Sequence, residues 1–312
     1  MIAHNVEDMN SDHVQSITLG DVEVLRVLEW QGAFLPARQL IPGSASELWE
    51  ENAHCLAPDH WQPMSGHAVA ALQTWVLRSG GRTVLVDTGV GNGRERPDSP
   101  MFHQQQGDFL GRLARVGVRP EDVDVVVNTH LHADHVGWNT TSVDGEWVPT
   151  FPNAQYLLHA ADEFHFGPEN SYGDGLRRED ELIYEDSVAP VHRAGQMVLW
   201  EGVHRIDENL ALESAPGHTP GSAVLRLTSG DDRAVFVGDL MHSPVQILAP
   251  SCSSCFCLDP AQAAASRRRI LERSADQREL VVPAHFAGAG AVEVQRGTNG
   301  GFILKRWEVA LS

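Results

Sequence analysis

Four potential metal ligands lie within six consecutive residues of the segment NTHLHADHVGWN. They are His130, His132, Asp134 and His135, and they follow the apolar run VDVVV, which predicts a strand. Side chains two residues apart on an extended segment point the same way, so His130 and His132 can reach one ion. Asp134 and His135 fall on the following turn and aim at a neighbouring point. The spacing therefore favours two adjacent cation sites over one.

Three further candidate ligands stand where other predicted strands end. They are His218 in APGHTPG, Asp239 in FVGDLMH and His285 in VVPAHFAG. Their small neighbours allow backbone and metal to approach closely. Polar side chains at the edge of a core are costly unless something satisfies them, and imidazole with carboxylate donors suits borderline divalent ions such as zinc. The pattern predicts a metal site assembled from several strand ends.

Apolar strand-like runs alternate with turn signals from residue 68 to residue 285, and they predict the layered α/β sheet structure that must position these ligands. Helices are predicted at 105–116, 160–166 and 260–274. Before residue 68 there is no clean period apart from a strand-like run at 22–30. We therefore expect residues 1–67 to form an N-terminal extension with substrate-covering loops, and residues 68–312 to form one globular unit.

Composition and charge exclude several classes of protein. A chain of 312 residues with 42% hydrophobic and 21% charged residues is typical of a globular protein. Its formal net charge of -19 repels phosphate backbones and anionic lipid, so neither nucleic acid nor a membrane is an expected partner. The N-terminus lacks the basic and apolar regions of a signal peptide, so we predict a soluble cytoplasmic protein. The basic run at 267–269 is interpreted as a solvated helix face.

The four cysteines are too few for a disulfide scaffold; they are Cys55, Cys252, Cys255 and Cys257. The segment CSSCFC nevertheless has a metal-like C-x-x-C spacing. One alternative is a zinc knuckle that Cys257 and the distant Cys55 would complete. The preferred interpretation is a set of buried or idle thiols in a reducing compartment.

The motifs T-H-L-H-A-D-H, G-H-T-P-G, V-G-D and P-A-H occur in this order and resemble those of the metallo-β-lactamase-fold superfamily of hydrolases. The similarity covers roughly residues 68–290. It implies a four-layer αββα sandwich, which is an α/β (α+β) fold, and makes residues 68–312 a hydrolase domain.

The resemblance also implies a role for each candidate ligand. One ion would bind His130, His132 and His218, the second would bind Asp134, His135 and His285, and Asp239 would bridge the two. Two divalent ions are thus expected, with zinc preferred over manganese, cobalt or iron. A bridging hydroxide would be the nucleophile, and Asp134 could also pass a proton to the leaving group.

Asp87 in VDTG resembles the aspartate that orients a histidine ligand in this superfamily. The alternative interpretation is a turn-forming residue before Gly89. His242 and His159 lie near the motifs and are interpreted as structural histidines, with a place beside the site as the alternative. Seven aromatic residues could wall an apolar pocket, although core packing is preferred for each; they are Trp30, Phe34, Trp49, Trp61, Trp138, Phe164 and Phe166.

Within the superfamily, the sequence is most similar to the lactonase and methyl-parathion-hydrolase-like group. An aspartate at 239, where the best-known zinc β-lactamases have cysteine, favours the esterase-like branches. The 27 residues after His285 predict strand-turn-strand, whereas glyoxalase II-like thioesterases add a helical domain. We therefore predict hydrolysis of a lactone, carboxylic ester or phosphotriester with an apolar moiety. Similar enzymes are often homodimers, so a homodimer is one expectation.

Two other functions stay open at this point. A mononuclear iron oxygenase of the same fold would bind one ion through two histidines and a carboxylate. The presence of both His135 and His285 argues against it. The other is an inactive metal-binding effector protein that works in signalling.

Overall fold

The computed structural model describes residues 15–170, 178–298 and 300–306. Its strands are β1 (Gln15–Leu19), β2 (Val22–Pro36), β3 (Trp61–Gln62), β4 (His67–Ser79), β5 (Arg82–Val86), β6 (Val125–Val127), β7 (Thr140–Val143), β8 (Glu146–Pro149), β9 (Gln155–His159), β10 (Met197–Trp200), β11 (Val203–Arg205), β12 (Leu210–Ser214), β13 (Ala223–Ser229), β14 (Asp232–Gly238), β15 (Leu280–Pro283), β16 (Val292–Arg296) and β17 (Phe302–Arg306).

The α-helices of the described residues are α1 (Ala37–Leu40), α2 (Ser46–Glu51), α3 (Ala53–Leu56), α4 (Phe109–Arg115), α5 (Ala133–Val136), α6 (Ala160–Phe166), α7 (Arg178–Ile183), α8 (Ala189–Arg193), α9 (Val245–Leu248) and α10 (Pro260–Gln277). Short 3-10 turns span Pro120–Asp122, Gly137–Asn139 and Pro168–Asn170, and a π-helical turn spans Tyr184–Val188. None of these helices has the length and apolar character needed to cross a bilayer.

The first sheet has the strand order β1-β2-β4-β5-β6-β9-β10, with β3 also paired to β4. The long strands β2 and β4 run antiparallel from Glu23 opposite Arg78 to Pro36 opposite His67. Strands β5, β6, β9 and β10 run parallel to one another, whereas β4 and β5 are antiparallel. Division of the chain at residue 67 stays a prediction, but β1 and β2 belong to the same sheet as the strands that follow.

The second sheet has the order β11-β12-β13-β14-β15-β16-β17. Its strands pair antiparallel except for β14 and β15, which are parallel. The closing pair, β16 and β17, is the predicted strand-turn-strand. A separate hairpin is formed by β7 and β8.

The two sheets pack face to face, and alternation along each strand divides its side chains between two cores. In β5, Val84 and Val86 face the core between the sheets, whereas Leu85 faces the helices outside the first sheet. In β14, Phe236 faces the shared core and Val235 packs towards Ile270 of α10 outside the second sheet. Helix, sheet, sheet and helix therefore form four layers, which confirms the predicted αββα fold.

The predicted helices at 160–166 and 260–274 are confirmed as α6 and α10, while the one at 105–116 is confined to Phe109–Arg115. The interpretation of 267–269 as a solvated face is wrong for Arg267. Its guanidinium is fully buried and donates to the carbonyls of Leu240, Pro250 and Cys252. The turn of α10 that carries Arg267 faces the sheet, so this arginine secures the loop that follows β14.

Candidate metal centre

The seven predicted ligands lie together where strands of both sheets end. His130 and His132 follow β6, whereas Asp134 and His135 are part of α5. His218 lies between β12 and β13, Asp239 directly follows β14, and His285 follows β15. Strands β12 and β14 point the same way because each is antiparallel to β13. Their carboxyl ends therefore reach the same edge, as do those of β5 and β6.

Three imidazoles converge on one point. Nε2 of His218 lies 3.2 Å from Nε2 of His130 and 2.9 Å from Nδ1 of His132, and the last two atoms are 3.0 Å apart. Ligands of a tetrahedral zinc ion with Zn–N bonds of about 2.0–2.1 Å are separated by about 3.3 Å. Oδ2 of Asp239 adds a fourth donor, 3.3 Å from Nε2 of His218 and 3.7 Å from Nε2 of His130.

A second group of donors lies on the other side of Asp239. Nε2 of His135 lies 3.6 Å from Oδ1 of Asp134, and Nε2 of His285 lies 3.5 Å from Oδ2 of the same carboxylate. Oδ1 of Asp239 is 3.2 Å from His135 Nε2 and 2.9 Å from His285 Nε2. One carboxylate thus presents an oxygen to each group, as a residue that bridges two cations must.

The chemistry of this donor set fits two divalent cations. Nε2 of His135 and Oδ1 of Asp239 are both buried and, although they lie 3.2 Å apart, neither is aligned for a hydrogen bond within the described part of the chain. Buried polar atoms are nearly always partnered, because an unsatisfied group costs about 1–3 kcal/mol. Imidazole and carboxylate donors are those that zinc prefers. Bound cations would satisfy both atoms at once.

Burial and charge set different protonation states in the two groups. Burial holds the pKa of His130 and of His218 well below the usual range and lowers that of His132 to about 4, so these rings are neutral near pH 7. Burial also disfavours charge on His135 and His285, but Asp239 and Asp134 overcome it. They raise the pKa of His135 well above its usual range and that of His285 to about 9. Without a metal, these two protonated rings balance the carboxylates.

Asp87 makes a hydrogen bond to His135, a member of the second group of donors. It follows β5, and its Oδ2 accepts hydrogen bonds from Nδ1 of His135 and Oγ1 of Thr129, each at 2.8 Å. Its backbone has a φ of +58°, which aspartate tolerates better than most residues. The hydrogen bond to His135 supports the predicted orienting role, and no turn is assigned at residues 87–89.

Asp162 is a buried residue that the sequence patterns did not reveal. Its carboxylate accepts hydrogen bonds from the backbone N–H of Leu131 at 3.2 Å and of Gly221 at 2.6 Å, and from Oγ1 of Thr219 at 2.9 Å. Asp162 therefore ties the loop that carries His130 and His132 to the loop that carries His218. Burial raises the pKa of Asp162 to about 7.

The two histidines interpreted as structural differ in their placement. His159 caps α6 by accepting from the N–H of Ala161, and its other ring nitrogen contacts Oγ of Ser214, so it has a structural role. His242 instead lies inside the centre, with Nε2 3.1 Å from Oδ2 of Asp239. The spacing of three residues from Asp239 was the signal that pointed to it.

The cysteines do not form a knuckle in the described residues, because no close group of three or more ligand side chains includes one. Cys255 is exposed. Sγ of Cys257 lies 3.8 Å from Nδ1 of His218, the ring nitrogen that points away from the centre. The interpretation as idle thiols thus fits Cys255, whereas Cys257 contacts a candidate ligand.

A cavity of about 310 Å³ opens over the centre and is reached by His132, Asp134, Asp239, His242 and His285. Its apolar wall is formed by Trp30, Phe34, Leu40, Leu72, Met101, Phe102, Ile183 and Phe256. Of the seven aromatic residues considered from sequence, Trp30 and Phe34 line it. Trp49, Trp61, Trp138 and Phe166 are buried in the core, and Phe164 is exposed.

Comparison with known proteins identifies the family of the chain. The sequence model of the metallo-beta-lactamase superfamily matches residues 72–285, which is more than half of the chain. The chain belongs to the metallo-beta-lactamase superfamily. This membership confirms the resemblance that the motifs indicated.

Solved structures of other proteins share the fold. The hydrolase AbOPH and AidC, a dizinc quorum-quenching lactonase in complex with a homoserine product, each align with a TM-score of 0.76 and 20% identity. Each alignment covers 95% of this chain and 98% of the other. Identity at this level shows the fold alone.

Curated relatives match a shorter segment. The N-acyl homoserine lactonase AttM of Azorhizobium caulinodans is 30% identical over 82 residues, and that of Agrobacterium fabrum is 32% identical over the same length. These residues are 26% of this chain and 27% of each relative. The chain therefore spans about a quarter of the length of the curated relatives that it matches.

Proposed function

We propose that the protein is a dinuclear metal-dependent hydrolase of a lactone or carboxylic ester with an apolar acyl group. The observation that carries the proposal is the convergence of the two donor groups on Asp239 at the floor of a cavity with an apolar wall. The proposed ligands are His130, His132 and His218 for one cation and Asp134, His135 and His285 for the other, with Asp239 shared. Two divalent ions held there, with zinc preferred, supply Lewis acidity that lowers the pKa of water and polarises a carbonyl oxygen.

The protein residues around the centre have distinct tasks in this proposal. Asp134 reaches the cavity while its oxygens lie near His135 and His285, so it is placed to hold a proton and pass it to the leaving oxygen. Asp87 fixes the ring of His135 by accepting from Nδ1. The apolar wall binds the acyl chain and excludes water from it.

The cavity favours a neutral substrate of modest size. Its volume is at the lower end of the range of about 300–1,000 Å³ that is typical of small-molecule sites. Among the described residues that line it there is no lysine or arginine, whereas Asp98 and Glu179 contribute carboxyl groups. An anionic substrate would meet repulsion there. Lactones also agree with the names of AttM and AidC, so we rank them above phosphotriesters.

A hydrolysis screen after reconstitution with zinc, manganese or cobalt tests the proposal. The substrates are N-acyl homoserine lactones of increasing chain length, aryl esters and a dialkyl aryl phosphate. We expect kcat/KM on lactones to rise by up to about fourfold for each methylene that the wall buries, until the cavity is full. His130→Ala should abolish turnover, while His103→Ala, a histidine outside both donor groups, should not.

Two results would favour the rival functions instead. A single bound iron, with oxygen consumed in the presence of a thiol substrate, would indicate a mononuclear oxygenase. Failure to hydrolyse any of the three substrate classes with any of the metals would indicate a metal-binding effector. The predicted cytoplasmic location, the homodimer and the exclusion of nucleic acid and membrane stay predictions.

A further inference from the structure

We propose that His242 is a positioning residue that holds Asp239 in its bridging orientation by donating a hydrogen bond from Nε2 to Oδ2. The inference rests on the proposed dinuclear centre and adds a side chain outside the seven predicted ligands. The ring is 4% exposed, and the two atoms are 3.1 Å apart. An ionised carboxylate only accepts hydrogen bonds, so the proton of this bond belongs to His242.

Within the described residues, the contact with Asp239 is the single polar contact of the His242 ring. Its other nitrogen, Nδ1, is buried and has no hydrogen-bond partner among residues 15–170, 178–298 and 300–306. A neutral imidazole protonated at Nε2 leaves Nδ1 as an acceptor, which is the less costly atom to bury alone. The tautomer that donates to Asp239 is therefore also the one that suits the surroundings of the ring.

The ring and backbone of His242 are held in place independently of this bond. The imidazole stacks on His285, with centroids 5.3 Å apart and planes inclined at 28°, and its centroid lies 5.7 Å from that of Phe256. Oε1 of the buried Gln246 accepts from the N–H of His242 at 2.7 Å, and its Nε2 donates to the carbonyl of Cys252. The donor is thus preorganised before any cation arrives.

The orientation of Asp239 matters because its two oxygens serve different donor groups. Oδ2 faces His130 and His218, whereas Oδ1 faces His135 and His285. Rotation about the bond to the carboxyl carbon would withdraw both oxygens together. A hydrogen bond to Oδ2 opposes that rotation, and residues that orient ligands in this way typically change metal affinity by about 10–100-fold.

Two substitutions separate the hydrogen bond from the packing of the ring. His242→Phe keeps an aromatic ring between His285 and Phe256 but has no donor. His242→Gln loses the ring but retains an N–H at a reach similar to that of Nε2. His204→Ala, which removes a histidine outside the centre, is the matched control. Each protein is stripped with a chelator, checked for an unchanged thermal unfolding midpoint, and titrated with zinc against a chromophoric chelator.

We expect the wild type and the His204→Ala variant each to bind two zinc ions, and the zinc affinities of the two proteins to be the same. The Phe variant should bind at least one of them about 10-fold or more weakly, and the Gln variant should stay within about threefold of the wild type. The visible spectrum of the cobalt-loaded protein should change in the Phe variant and be restored in the Gln variant.

Wild-type zinc affinity in the Phe variant would overturn the inference. An equal loss in the Phe and Gln variants would also overturn it, because the result would indicate direct ligation by the imidazole. A wild type that binds fewer than two ions would instead contradict the proposed function, so the two failures are distinguishable.

Discussion

The carboxylate of Asp87 lies 2.8 Å from Nδ1 of His135 and fixes the ring whose other nitrogen faces Asp239 and Asp134. The same carboxylate accepts from the N–H and the hydroxyl of Thr129, the residue before His130. One buried aspartate after β5 thus holds a member of the second donor group, His135, and the residue that precedes a member of the first, Thr129.

Substitution of Asp87 should weaken binding of the second cation. Asp87→Ala removes the acceptor for His135 and places alanine at a φ of +58°, so we expect a loss of zinc affinity of about 10–100-fold together with lower stability. Asp87→Asn tolerates that φ and keeps one acceptor, so its loss should be smaller. Competition titration with zinc measures both effects.

Asp144→Ala provides the matched control for the Asp87 prediction. Asp144 also has a positive φ, +52°, but it is exposed at the tip of the β7–β8 hairpin. It should lose stability without losing zinc affinity. An Asp87→Ala variant with the zinc affinity of the wild type would refute the orienting role.

Asp162 should make the stability of the metal-free protein depend on pH. Burial raises its pKa from 3.8 to about 7 in the folded state, so the folded protein binds the proton more tightly than the unfolded chain. The stabilisation is complete below pH 3.8 and is lost as the pH rises through about 7. It corresponds to about 3 kcal/mol between pH 5 and pH 8, at 1.36 kcal/mol for each pKa unit.

Urea unfolding in the presence of a chelator at several pH values checks this prediction. The free energy of unfolding of the wild type should fall relative to that of Asp162→Asn as the pH rises from 5 to 8. Parallel curves for the two proteins would show that Asp162 does not titrate in this range.

The 3-10 turn that begins at Gly137 should not tolerate a side chain at this position. A Cβ at Gly137 would overlap the backbone of Val90 and Gly91 in the adjacent segment. Gly137→Ala should therefore cost about 1–3 kcal/mol or more in the free energy of unfolding. In Gly43→Ala the new Cβ would meet ordinary contacts, 3.7 Å from Sγ of Cys252, so this control should stay near wild-type stability. Equal stability of the two variants in urea would contradict the predicted overlap.

Cys255 should be dispensable for metal binding. Its side chain is exposed, and no cysteine belongs to a close group of ligands in the described residues. Cys255→Ser should keep the zinc content and hydrolytic rate of the wild type, measured by elemental analysis and the lactone assay. Loss of zinc from this variant would revive the cysteine knuckle. Cys257 does not serve as a neutral control, because Sγ contacts the ring of His218.

The fold could be predicted from the sequence, and so could the seven candidate ligands that the structure brings together, because both depend on local patterns. Strand periodicity identified β5, β6, β14 and β15, and a polar residue directly after a buried strand marks the edge where such strands end. The H-x-H-x-D-H spacing places four donors within six consecutive residues. Neither signal requires knowledge of distant contacts.

Asp162, Arg267 and the full role of His242 escaped prediction because their meaning depends on contacts between separate segments. From the sequence, Asp162 is an ordinary acidic residue in the first turn of a helix. In the structure it accepts hydrogen bonds from Leu131, 31 residues earlier, and from Gly221, 59 residues later. Arg267 is adjacent in sequence to Arg268 and Arg269, which are exposed. It is buried because it lies on the face of α10 that packs against the sheet, and the basic run alone does not show which face that is. The aromatic residues that line the cavity also could not be singled out, because the sequence does not show which of them face it.

Anomalous diffraction at the zinc edge, from crystals of the zinc-loaded protein, tests the central claim most directly. We predict two peaks: one in contact with His130, His132 and His218, the other with Asp134, His135 and His285, and both with Asp239. A single peak, or zinc bound by other residues, would contradict this account.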